Sequence, residues 1–165
     1  MKSKRNKTIA LSALFVSAIV FGSLAYSHCQ IPCGIYGDET RFTLMSEHIT
    51  TIEKSMKLIE ELKNQDEINA NQIVRWVNNK EAHADELSHI ITHYFMAQRI
   101  KIASESDIPE YKKYVRKLTL LHEMLVTAMK AKQTTDTAHV AKLRTLLNRF
   151  QDAYTGKVAM SEHKH

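Results

Sequence analysis

Residues 28–36 run His28-Cys29-Gln30-Ile31-Pro32-Cys33-Gly34-Ile35-Tyr36 and hold both cysteines of the 165-residue chain. Two thiols beside an imidazole are equipped for metal or redox chemistry. Cys33 lies four positions after Cys29, and Pro32 and Gly34 flank it, which permits a tight turn back toward Cys29. If His28 is the first residue, the segment offers an α-amine, the amide nitrogen between His28 and Cys29, two thiolates and an imidazole. The first four can lie in one plane, with the His28 imidazole as a fifth, axial donor. A tetragonal N/S set of this kind suits Ni(II) or Cu(II) better than Zn(II), which prefers a tetrahedron. Three plainer readings stand beside it, one being that His28 is an ordinary residue next to the leader. On cysteine count alone the leading one is a small Cys29–Cys33 disulfide, which an exported compartment favours. The third is half of a zinc site completed by two remote histidines.

Whether His28 becomes N-terminal depends on what precedes it. Met1–Lys7 is a charged stretch with Lys2, Lys4, Arg5 and Lys7 and no acid. Ile9–Leu24 is apolar, diluted by Ser12, Ser17, Gly22 and Ser23, and Ala25-Tyr26-Ser27 places small residues where a signal peptidase needs them. Residues 1–27 are therefore expected to be a cleaved secretory signal peptide, cut after Ser27. A cut after Ala25 competes, and an uncleaved anchor is disfavoured because the apolar stretch is short of the roughly 20 residues of a stable span. The protein is expected to be exported, periplasmic or extracellular in a bacterium, with no membrane anchor after cleavage. The whole chain has 23 Lys+Arg against 18 Asp+Glu, formally +5. Without the four leader cations, 19 basic residues face 18 acidic ones. The mature chain has no basic excess for nucleic acid.

Behind the hook, residues 28–38, the spacing becomes helical. Phe42, Met45, Ile49, Ile52, Met56 and Ile59 step by three and four and form one apolar seam. Asp38 or Thr40 is a candidate cap for its start. A second seam runs Ile73, Val77, then, past a gap at Lys80, Ala84, Leu87, Ile91 and Tyr94, with the helix expected to reach toward Ile102. Pro109 suits a first helical turn, and the third seam is Tyr111, Tyr114, Leu118, Leu121, Leu125 and Ala128. The fourth is Val140, Leu143, Leu147, Phe150 and Tyr154, stopped by Gly156. Four amphipathic helices with short connections predict an all-α, antiparallel up-down four-helix bundle over residues 39–156, with a frayed tail at 157–165. Four glycines, two prolines and no alternating pattern argue against a β fold.

His28, Cys29, Pro32, Cys33, Gly34 and Tyr36 together resemble the nickel hook of nickel-containing superoxide dismutases. The helix pattern and length behind the hook resemble that family's subunit as well, so the resemblance spans about residues 28–156. It implies one nickel ion per subunit held by His28, Cys29 and Cys33, with superoxide as substrate. It also implies a Ni(II)/Ni(III) cycle at the processed N-terminus and a homohexamer. Tyr36 would hydrogen-bond or screen the open face of the metal, or pack where the hook joins the first helix. Gln30 stands where many members carry an acid. The supports that some members give the imidazole, a first-helix Glu and an Arg of another subunit, have no assignable counterpart. His93-Tyr94-Phe95 resembles the segment by which members place a tyrosine near the metal.

Other constellations are weaker. Glu86-x-x-His89 is half of a di-iron motif whose second copy is missing. His89 and His93, at i and i+4, are expected at a surface or interface. Trp76 is expected in the core, and His163 and His165 in the tail are adventitious metal binders. Two further functions remain as alternatives to the dismutase: an exported helical metal carrier or sensor without turnover, and a structural bundle closed by a disulfide.

Overall fold

The computed structural model describes residues 37–156. They form helix α1 (Asp38–Lys63), α2 (Ala70–His89), a π-helical segment (Ile90–Arg99) that continues α2, α3 (Ile108–Gln133) and α4 (Ala138–Thr155). No strand occurs among the described residues, and no helix there is long and apolar enough to cross a membrane. Contacts link α1 with α2, α2 with α3, α3 with α4, and α4 back with α1. Asp38, at the start of α1, bonds Tyr94 and Arg99 at the end of the π segment and Tyr154 at the end of α4. At the other end Thr135, just past α3, bonds Glu60 near the end of α1. The helices therefore alternate in direction, as the short connections predict.

All six residues of the first seam are buried. In α4, Val140, Leu143, Leu147 and Phe150 are buried as expected, joined by Leu146, and Gly156 ends the helix at φ 78°, a left-handed conformation suited to glycine. In α3 the seam holds only past its midpoint. Leu121 and Ala128 are buried and Leu125 packs partly buried against the core, but Tyr111, Tyr114 and Leu118 are half-exposed. Trp76 is half-buried rather than core, with Lys54 Nζ 5.9 Å from the centre of its ring.

The gap at Lys80 has a physical explanation. Lys80 is buried, and its Nζ donates to the carbonyls of Lys132 (2.7 Å) and Thr134 (2.9 Å) at the C-terminal end of α3. Those carbonyls have no partner within their helix, and a cation complements the dipole there. Burial pulls the ammonium below its ordinary pKa.

A candidate metal centre and the cluster beside it

His28, Cys29, Cys33 and Tyr36, the residues expected to do the chemistry, lie outside the described residues, as do the leader and the tail. The described chain begins at Gly37, one residue past Tyr36, and its first helical residue is the centre of the most elaborate polar cluster among the described residues.

Asp38 does not cap α1. The N-cap position belongs to Gly37, with no side-chain cap bond. The Asp38 carboxylate instead turns onto two other elements. Its Oδ1 accepts from the Tyr94 hydroxyl (2.7 Å) and Arg99 Nε (2.8 Å), and its Oδ2 from Arg99 Nη2 (2.9 Å) and the Tyr154 hydroxyl (2.8 Å). A carboxylate offers about four acceptor positions, and all are used. The group is a hub, unavailable as a metal ligand or general base.

The backbone of the π segment makes this convergence possible. Tyr94 and Arg99 are five residues apart. In an α-helix that spacing puts side chains about 140° apart around the axis. The i to i+5 pattern of a π-helix stacks them instead. The pattern is visible in the bond from Ile100 N to Phe95 O (2.9 Å). Ile90 and Phe95 lie in the core beside Ile91 and Tyr94, on the face that i, i+3, i+4, i+7 and i+8 spacing from Leu87 defines. Phe95 lies under the cluster in an aromatic layer. Its ring centre is 5.1 Å from Phe42, 5.0 Å from Phe150 and 5.5 Å from Tyr154.

The charges follow the contacts. The Arg99 hydrogen bond, against the opposing effect of burial, holds the Asp38 carboxyl down at about 2. Burial and the bond to Asp38 push the Tyr94 hydroxyl up to about 12, and the same causes raise Tyr154. Arg99 is raised by its bond to Asp38. Both tyrosines are thus held as neutral donors. The Arg41 guanidinium carbon lies 5.0 Å, and that of Arg99 5.7 Å, from the centre of the Tyr94 ring, a cation–π arrangement.

Tyr94 is buried at the head of α1, whereas the other helical candidates lie apart from it. His89 and His93 are exposed and stack on each other, 4.2 Å between ring centres at 10°. Glu86 is exposed. Sequence reasoning passed over one pair: His48 on α1 and His83 on α2, whose Nδ1 atoms are 2.8 Å apart. Among the described residues no group of three or more His, Cys, Asp or Glu could hold a metal. Sequence reasoning also missed Arg99 as a site residue, and gave Asp38 and Tyr154 other roles. The usable signal was an acid placed directly between the hook and the first seam.

The family model for nickel-containing superoxide dismutase matches residues 23–157. No curated protein and no solved structure matches the chain.

Proposed function

Because the chain belongs to the nickel-containing superoxide dismutase family, we propose that its nickel is held by residues 28–36 after a leader, residues 1–27, has been removed. The protein is a superoxide dismutase with nickel as its cofactor. It converts two superoxide anions and two protons into O2 and H2O2.

The donor chemistry of residues 28–36 fits the metal. His28 would contribute its α-amine and imidazole, Cys29 its amide nitrogen and thiolate, and Cys33 a second thiolate. Bound there, nickel supplies a one-electron Ni(II)/Ni(III) couple, made accessible by electron-rich thiolate and amide donors. Both cysteines must give up their protons to bind, and so must the α-amine, whose ordinary pKa is about 7.7–8.0. Tyr36, three residues past Cys33, would hydrogen-bond or screen the face that superoxide approaches. The thiolates work beside peroxide, and ligation protects them from oxidation.

One observation carries this reading. The chain's only two cysteines sit directly behind residues 1–27, a charged then apolar stretch that reads as a secretory leader. The mature protein is read as exported by a signal peptidase and assembled as a homohexamer with one nickel per subunit.

The test compares a protein starting at His28 with one starting at Ser27. The extra residue turns the α-amine of His28 into a peptide amide, which loses its proton far less readily. The expected result is nickel and dismutase activity in the first, and a folded, inactive protein in the second. Intact mass of the exported natural protein should show His28 first. Equal nickel content and equal activity in both would remove the free amine from the ligand set.

A further inference from the structure

We propose that the cluster of Asp38, Arg99, Tyr94 and Tyr154 is a positioning device for the nickel hook: it pins the first residue of α1, so that the metal-binding segment leaves the bundle from a fixed origin. This rests on the assignment of nickel to residues 28–36. It requires no contact between the cluster and the hook, only the continuity of the chain.

The starts of the other helices show what is unusual about α1. α2 is capped locally, with the Asn69 side chain accepting from Gln72 N, and α3 likewise, with Asp107 accepting from Glu110 N. A local cap satisfies a helix end but does not fix where that end lies in the fold. At α4 the N-cap residue Thr137 makes no side-chain cap bond, but Asp136 Oδ1 accepts from Ala138 N (2.9 Å), again a local contact. At α1 the acid that could have capped locally is committed to tertiary bonds with two other elements, the π segment and α4. Arg99 reaches it only because ten residues, Ile90–Arg99, adopt π geometry, which is rare and recurs at functional sites. The structure thus departs from local rules twice at one point. That point is the one described helix start joined directly to the proposed metal ligands.

Four residues lie between Cys33 and Asp38, so at most about 18 Å of extended chain joins the two. A tether with a loose end would have to be ordered each time the metal is held. One anchored to a rigid element has much of that ordering in place, which favours retention and one ligand geometry. Asp38, Arg99 and Tyr154 are therefore positioning residues. They touch neither substrate nor metal in this scheme.

The test uses full-length mature protein starting at His28, loaded with nickel. Asp38→Asn keeps the size of the side chain and removes its charge. Arg99→Met keeps the aliphatic stem and removes the donors. Two readouts report on position rather than turnover: the rate at which a chelator withdraws nickel, and the line shape of the Ni(III) EPR signal. Both variants should keep wild-type helical content, lose nickel at least about ten-fold faster and give a broadened signal. Arg99→Lys, which restores a charge and a donor without the bidentate fork, should lie between them and wild type. Should Arg99→Met fail to fold, Tyr154→Phe removes one bond, keeps the ring and should shift both readouts in the same direction. Wild-type release rates and line shapes in these variants would overturn the positioning role. A wild-type protein that takes up no nickel would overturn the hook assignment and this inference with it, and that outcome is seen before any variant is made.

Discussion

Cys29 and Cys33 concentrate the redox chemistry of this chain in five consecutive residues, so their role is separable from folding. Cys29→Ser or Cys33→Ser removes a thiolate that would supply electron density to the metal, while every buried core residue among the described residues lies downstream. Either substitution should abolish nickel retention and reduce dismutase activity by at least about 100-fold, with helical content by circular dichroism unchanged. A single variant that keeps near-wild-type activity would refute the thiolate assignment. Asp38 is the opposite kind of residue. Its identity says little by itself, and its role comes from partners 56, 61 and 116 positions away. The hook could be proposed from the sequence because its candidate ligands are neighbours there. The Asp38 cluster could not, because no local pattern brings Tyr94, Arg99 and Tyr154 together.

At the level of the elements, the seams of α1 and α4 were readable throughout, and those of α2 and α3 only in part. In α2 the apolar period was interrupted by a lysine that is buried after all. Lys80 lies across the end of α3 and serves the two carbonyls that terminate it. Lys80→Met keeps the stem and leaves the carbonyls of Lys132 and Thr134 without their donor. That should cost about 1–3 kcal/mol, read as a lower urea midpoint with an unchanged slope, while nickel binding is retained. Unchanged stability would mean that water replaces the ammonium without loss. The seam through Leu87, Ile91 and Tyr94 was also drawn too narrow: Ile90 and Phe95, at i+3 and i+8 from Leu87, complete the same buried face.

Over the whole molecule, stability should respond to pH in two stages, set by groups at different places in the bundle. His48 has its pKa lowered, by burial first and then by His83. Glu86 and Glu47 act against that fall, but the unfolded chain still takes up this proton more readily than the folded one. Its contribution is therefore present at neutral pH and lost as pH falls below about 6.5. The two imidazoles share one hydrogen bond between their Nδ1 atoms, and placing a proton on both of these nitrogens destroys it. Asp38 adds a second stage. With its carboxyl held at about 2 against an ordinary 3.8, its contribution persists above pH 4 and disappears as pH falls through about 2. Urea midpoints measured from pH 8 to 4 should decline below about 6.5, and His48→Gln should flatten that decline. A wild-type midpoint that stays constant from pH 7 to 5 would contradict the first stage.

The sequence alone determined the bundle class and most of the core, and it is the basis on which the reactive segment and the leader in front of it are proposed. Each of these is written in neighbouring residues or in a single repeating period: Cys29 beside His28, or Phe42 through Ile59 stepping by three and four. It determined the nickel chemistry through residue types, because two thiolates and N-terminal nitrogen donors suit few metals. Only the tertiary structure decided that Asp38 would bind across the bundle instead of capping its own helix, that residues 90–99 would widen into a π-helix, and that Lys80 would be buried. These outcomes depend on which unsatisfied groups meet when helices pack. The carbonyls at the end of α3 need a donor and a half-buried carboxylate needs its acceptor positions filled, and the residue that answers each need lies dozens of positions away in the chain.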